Sequence, residues 1–287
     1  MAAAVSLTLS WAFCYPTPVV GQSLLPRLLE LDSEQMTRQG LSLAQEAAQL
    51  SQLQQFQLAL PRAQLAVQLA PRNFQVWALL GSLYIQSQRL DEGIGALKQA
   101  IKLNPKESAV FFALGTAHFQ KQKYKEAVDY IQSGLKLRPQ TPGALFDLGN
   151  AFYMLKRYQE AIAQYNKTVR LDAKFWPAIN NIGLIDYELG RVDAALKQWQ
   201  MAANIEEDAA EPRLALAIAI YFRGEQSKGL ELGEAALKID RRYADLAFLK
   251  ENLWGEKLLT EAKQFLETPR IQTILTNLKQ QPTNLPN

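Results

Sequence analysis

A period of 34 residues runs through the chain without an insertion. Stepping by 34 from Ala59 meets Gly93, Ala127, Ala161, Ala195 and Gly229, and stepping from Ala47 meets Gly81, Gly115, Gly149, Gly183 and Ala217. Both columns are small in all six repeats. Pro71, Pro105 and Pro139 share a third column, which continues as Ala173, Glu207 and Arg241. Self-similarity at such a period marks a stacked array, in which each unit buries its apolar face only against its neighbours. The usual step from 287 residues to one or two compact domains therefore does not apply.

The residues between the columns give the unit its shape. Trp77, Leu80, Gly81 and Tyr84 are spaced 3, 1 and 3, one stripe of a helix. Gly93, Leu97 and Ala100 form the inner stripe of a second helix. The small pair Gly81 and Gly93 lets the two helices approach closely, and Pro105, which has no amide proton, ends the second one. The same scheme returns with Phe111, Leu114 and Gly115 against Ala127, with Leu145, Leu148 and Gly149 against Ala161, and with Ile179, Ile182 and Gly183 against Ala195. The spacing predicts six helical hairpins, at 40–73, 74–107, 108–141, 142–175, 176–209 and 210–243.

The run Trp77-Ala78-Leu79-Leu80-Gly81-Ser82-Leu83-Tyr84, with the Ala and Pro columns, resembles the tetratricopeptide repeat. The resemblance covers residues 40–243. It is weaker in the first repeat, which has Leu43, Glu46 and Ala47, and in the sixth, where Arg213 replaces a large apolar residue. It implies an all-α fold: a right-handed superhelical α-solenoid of about six hairpins plus C-terminal capping helices. After residue 243 the period fades. Ala244–Trp254, Lys257–Glu267 and Ile271–Leu278 still read as helices, with Pro269 separating the last. Residues 244–279 are expected to cap the array, with Leu253, Trp254, Leu258, Leu259, Phe265 and Leu266 covering the sixth repeat. Residues 22–39 read as a linker entering a helix near Ser33, a candidate N-cap. Residues 280–287, polar with two prolines, read as a disordered tail.

Residues 1–21 form an apolar leader. Ala2–Phe13 is shorter than the roughly 20 residues of a membrane-spanning helix, and Pro16 and Pro18 interrupt its continuation. No Lys or Arg precedes Arg27, and Val19-Val20-Gly21 is a poor cleavage site. A membrane anchor, a cleaved signal peptide and an unstructured apolar tail all remain open on these residues.

The resemblance also locates a ligand surface. In such arrays the first helices line a concave groove, and repeat positions 2, 5, 9 and 12 make one helix face. Read off this chain, that face offers Ser82, Ile85, Phe112, Thr116, Phe119, Phe146, Asn150, Tyr153, Asn180, Tyr187 and Tyr221 as protein-binding residues. Aromatic rings in a water-facing groove anchor a partner, and the two asparagines can bond an extended backbone. The competing reading is that several of these rings pack between neighbouring helices.

Other chemistries lack their residues. The net charge of +3 is too weak and dispersed for nucleic acid. The single cysteine, Cys14, excludes an internal disulfide and a cysteine zinc site. His118, the only histidine, sits in the inward column of Tyr84 and Phe152 and reads as core. Gly93-Ile94-Gly95 lies on a helix with no strand before it, so it is packing rather than a phosphate loop. Glu206, Glu207 and Asp208 read as a solvated turn. Lys121, Lys123, Lys125, Lys136 and Arg138 read as a solvated basic patch, with an anionic membrane surface as the sharper alternative. No enzyme, metal or cofactor is expected.

The stretch from Phe248 to Leu259, with Pro269-Arg270-Ile271, is similar to the end of tetratricopeptide proteins of cyanobacteria and plastids that act in thylakoid biogenesis. These include photosystem assembly factors and the partner of protochlorophyllide oxidoreductase. The similarity, together with the leader, implies a thylakoid-membrane-associated factor that stabilises or delivers a chlorophyll-synthesis or photosystem client. The clients implied are protochlorophyllide oxidoreductase or photosystem subunits. The alternative is a periplasmic adaptor in a secretion or cell-envelope complex.

Some relatives hold the C-terminal carboxylate of chaperones with Lys and Arg on the groove stripe. Residues 74–243 carry no Lys or Arg at positions 2, 5, 9 or 12. A fluorescence titration with an acidic chaperone-tail peptide is therefore expected to show no binding in the micromolar range. Micromolar binding would refute the assignment of the stripe.

Overall fold

The computed structural model describes residues 32–280, with side chains to residue 278. The leader, the linker before residue 32 and residues 281–287 lie outside the described residues. Twelve helices form six hairpins. These are α1 (Ser33–Gln52) with α2 (Phe56–Leu69), α3 (Phe74–Gln86) with α4 (Leu90–Leu103), and α5 (Ser108–Gln120) with α6 (Tyr124–Leu137). Next come α7 (Pro142–Met154) with α8 (Tyr158–Leu171), α9 (Trp176–Glu188) with α10 (Val192–Ile205), and α11 (Ala210–Phe222) with α12 (Gln226–Ile239). Each second helix packs on the first helix of the next hairpin, so the core is a continuous seam of local contacts. A short 3-10 turn (Arg241–Ala244) leads to α13 (Leu246–Glu251), α14 (Glu256–Leu266) and α15 (Pro269–Gln280).

The small-residue columns sit where the hairpins close. Ala47, Ala59, Ala127, Ala161, Ala195 and Ala217 have no exposure. Opposite each glycine of the first helix stands a large side chain of the second. A Cβ on Gly81 would lie 2.6 Å from Leu97 Cγ, and one on Gly183 would lie 2.6 Å from Trp199 Nε1. Ile131 and Tyr165 press still closer on Gly115 and Gly149. The wedge grows along the array, from Leu97 and Ile131 to Tyr165 and Trp199, all fully buried. The sixth hairpin lacks it, because Gly233 stands in that register. The ring of Phe265, from α14, fills the space against Gly233 instead.

A fourth 34-residue column lies in the turns. Gln54, Gln88, Gln122 and Lys156 have φ of 58, 60, 57 and 58°, and Gly190 and Gly224 have 75 and 106°. Each ends a first helix by the same left-handed cap. In the second hairpin Arg89 N–H donates to the Tyr84 carbonyl (2.8 Å) and Gln88 N–H to that of Ile85 (3.0 Å). These two bonds satisfy carbonyls that the helix leaves without partners. The turns between hairpins do not depend on proline. At two positions where it is missing, Asp172 Oδ1 accepts from Lys174 N–H (3.0 Å) and Asp240 Oδ1 from Arg242 N–H (2.9 Å).

The ends differ in detail from the sequence reading. Helix α1 starts at Ser33, where the sequence reading has it, but its cap is Asp32, whose Oδ1 accepts from the amides of Glu34 and Gln35. Ser33 is the first helical residue. Pro269 separates α14 from α15 and is itself the first residue of α15, since a first-turn proline forfeits no helical bond. None of the described helices is long and apolar enough to cross a membrane.

A left-handed backbone costs an L-residue roughly 1 kcal/mol relative to glycine. Gly190→Ala should therefore lower the urea midpoint by the equivalent of about 1 kcal/mol. Gln122→Gly should raise it. Circular dichroism during urea unfolding checks both, and a change in the opposite direction for either would contradict the cap assignment.

Candidate protein-binding groove

The first helices α3, α5, α7, α9 and α11 bring the predicted stripe to one face, but that face has two halves. Over α9 and α11 it is occupied by the chain's own C-terminal segment. Helix α14 packs on both, while α15 packs on α12. The residues expected to cap the array thus divide. Phe265 closes the sixth hairpin, whereas Trp254, Lys257, Leu258 and Glu261 lie on the groove.

The occupied half is held by matched polar contacts. Trp254 is buried and its Nε1–H donates to Glu211 Oε1 (3.1 Å). Glu188 Oε1 accepts from Leu258 N–H (3.2 Å) and Oε2 from Lys257 N–H (3.4 Å), so its carboxylate sits at the positive end of α14. The Tyr187 hydroxyl is hydrogen-bonded to Glu261. The Lys257 ammonium lies over the Tyr187 ring, 4.5 Å from its centroid. Burial, with the Glu261 and Glu188 charges, pushes the Tyr187 hydroxyl far above the usual tyrosine range. Burial also pushes Glu211 up to about 7, although bonds from Trp254, Asn180 and Tyr243 oppose it.

Four of the predicted residues are therefore buried within the protein. Tyr187 has 2% exposure beneath α14, and Asn180 has 1% beside Glu211. Asn180 Nδ2 donates to Asn181 Oδ1 (3.2 Å), while its own Oδ1 has no partner among the described residues. Ile85 packs on Gly93, and Tyr153 is buried against Tyr158 at 5.7 Å between ring centroids. Tyr221 is half-buried against Phe265 and Phe222. His118 is buried too, stacked on Tyr130 at 5.0 Å, and burial lowers its pKa.

Over α3, α5 and α7 the groove is open. Ser82, Phe112, Thr116, Phe119, Phe146 and Asn150 are each half-buried there. They are not equally free. Phe112 lies against the α6 backbone at Gly134, and Phe146 packs on Phe175 (5.1 Å) and Tyr165 (5.7 Å). Asn150 Oδ1 accepts from Tyr165 O–H (2.8 Å) and Asn181 Nδ2–H (3.1 Å). The Ser82 and Thr116 hydroxyls bond only to carbonyls of their own helices. A cleft of about 330 Å³ runs between α3 and α5, lined by Ser82, Ala78, Gln75 and Ala109. A smaller cavity of about 60 Å³ is lined by Thr116, Phe119, Ile131, Asp147 and Asn150.

The stripe of positions 2, 5, 9 and 12 misses polar groove side chains at positions 6 and 13, namely Asp147, Asn181 and Glu188. It also misses the occupant. One signal was available: the column Leu97, Ile131, Tyr165, Trp199 breaks at Gly233, the gap that Phe265 of α14 fills. Among the described residues no three His, Cys, Asp or Glu side chains are grouped to hold a metal ion.

A family profile described as the cilia and flagella-associated protein 70 C-terminal domain, a tetratricopeptide family, matches residues 32–178. No curated protein matches the chain. Among solved structures the chain is similar to MamA, at 24% identity over 56% of this chain and 94% of that one, with a TM-score of 0.53. It is also similar to YrrB, a tetratricopeptide protein with an unusual peptide-binding site, at 17% identity over 70% and 97% of the two chains (TM-score 0.52). PilF of Pseudomonas aeruginosa matches at 14% identity over 77% and 98% (TM-score 0.62). At these identities the likeness establishes the fold alone.

Glu211 provides a test of the occupied half. Its pKa in the folded chain lies above the ordinary glutamate value of about 4.5, at about 7, so the folded state holds the extra proton. Its contribution to stability is then fully present below about pH 4.5 and is lost as pH rises through about 7. Glu211→Gln keeps an acceptor for Trp254 without the charge. It should stabilise the chain at pH 8 by on the order of 3 kcal/mol and change little at pH 4.5. Equal effects at both pH values in denaturant titrations would show that Glu211 is not buried under the tail.

Proposed function

Because the chain belongs to the tetratricopeptide-repeat family represented by that profile, we propose that it is a non-enzymatic protein-binding scaffold whose open groove over α3, α5 and α7 holds a client segment. One observation carries this reading: half-buried aromatic and hydroxyl side chains line that half, while the other half is filled by α14. A groove that buries a helix of its own chain has the shape and chemistry to bury part of another. Half-exposed rings such as Phe119 would be the anchors, each adding on the order of 2 kcal/mol when a partner covers it.

The finer reading is a membrane-associated assembly factor for chlorophyll-synthesis or photosystem clients, held at the thylakoid through its leader. What supports it is the resemblance of residues 248–259 and 269–271 to the ends of such factors. Those residues include the segment that plugs the groove, so they bear on how much groove a client can reach.

A photo-crosslinking residue at Thr116 should capture a client from source membranes, and one at Lys98, on the outer helix α4, should not. Ser82→Arg/Thr116→Arg should reduce capture at least tenfold without unfolding the array, because both hydroxyls bond only within their own helices. Capture at Lys98 and not at Thr116 would refute the groove. A Thr116 client that is neither a chlorophyll-synthesis enzyme nor a photosystem subunit would refute only the finer reading.

A further inference from the structure

We propose that the open half of the groove selects its client by a cationic side chain, lysine or arginine, set against the Asp147 carboxylate. The proposal rests on the scaffold reading and specifies the chemistry of the partner.

Asp147 is the charged side chain of the first-helix groove positions over α3, α5 and α7, while Glu107 borders the separate cleft between α3 and α5. Positions 2, 5, 6, 9, 12 and 13 of the repeats from 74 to 175 carry no Lys or Arg and, apart from Asp147, no acid. The side chain is half-buried and borders the cavity of about 60 Å³ with Thr116, Phe119, Ile131 and Asn150. That volume is about two waters' worth, room for a small polar head group. Of the polar groups beside it, Asn150 Oδ1 accepts from Tyr165 and Asn181 and the Thr116 hydroxyl donates to the Phe112 carbonyl, and none is bonded to Asp147. Asp147 itself has no hydrogen bond or ion pair among the described residues, and burial alone raises its pKa to about 6. A carboxylate partly withdrawn from water without a partner is destabilised, and an opposite charge within about 4–6 Å favours its charged form.

The occupied half shows the same recognition already made. There the groove holds a helix whose Lys257 ammonium lies over Tyr187, with Glu188 and Glu261 beside the same ring. Tyr187 stands at the twelfth position of its repeat, and buried Tyr153 and half-buried Phe119 occupy that position one and two hairpins earlier. Cation, aromatic ring and carboxylate thus recur along the groove, except that the cation is missing over α5 and α7. The expected client segment presents it, flanked by apolar residues that meet Phe119. This is the reverse polarity of a groove built to take a carboxylate.

The test uses the full chain and two side-chain surrogates, n-butylguanidinium and n-butylammonium, followed by amide NMR. The expected result is that both move the signals of Thr116, Phe119 and Asn150, that butyrate and n-butanol do not, and that Asp147→Asn weakens the cation response at least tenfold while Asp147→Glu retains it. An equal response to n-butanol, or no change in Asp147→Asn, would overturn the proposal; the isosteric variant's unchanged spectrum elsewhere guards against misfolding. The scaffold reading is scored separately by crosslinking at Thr116. Client capture by Asp147→Asn equal to wild type sinks the cation site and leaves the scaffold standing. Selective butylguanidinium binding without client capture does the reverse.

Discussion

The array depends on how closely the two helices of each hairpin can approach. In the four middle hairpins a glycine on the first helix faces a large buried side chain on the second, and the fit leaves no room for even one more methyl group at Gly81 or Gly183. Interiors packed at this density do not absorb added volume without shifting backbone. Because the contact repeats every 34 residues, the inter-helix distance repeats too, and with it the spacing of the first helices along the concave face. The groove is a consequence of that regularity.

The C-terminal segment uses the same device in trans along the chain. Phe265 inserts where the sixth hairpin has Gly233, and Trp254, Leu258, Leu266 and Ile271 are buried with it. Burying five such side chains contributes on the order of 10 kcal/mol. A segment held that firmly is a fixed wall of the groove. It shortens the reachable surface to the part over α3, α5 and α7, where Asp147 borders the small cavity beside Phe119.

Much of this was legible in the residues. Small columns and apolar stripes identify the hairpins because helix periodicity and repeat length are local properties, and each repeat touches only its neighbours. The left-handed turn column was harder to see, since Gln54, Gln88, Gln122 and Lys156 occupy it where glycine would announce it. The partition of the groove stripe was not legible. Tyr187 and Phe119 occupy the same repeat position, yet one is covered by α14 and the other is half-exposed.

The 34-residue spacing by itself determined the hairpins, their order and the face on which the first helices lie, because those follow from 3.6-residue periodicity and nearest-neighbour packing. Tertiary structure alone decided which part of that face stays open and which carboxylates lose their water. Those outcomes rest on contacts between residues some 40 to 75 positions apart, such as Trp254 with Glu211 and Glu261 with Tyr187. No local pattern encodes where a helix beyond the last repeat will settle, since that depends on the shape of the space the whole array leaves for it.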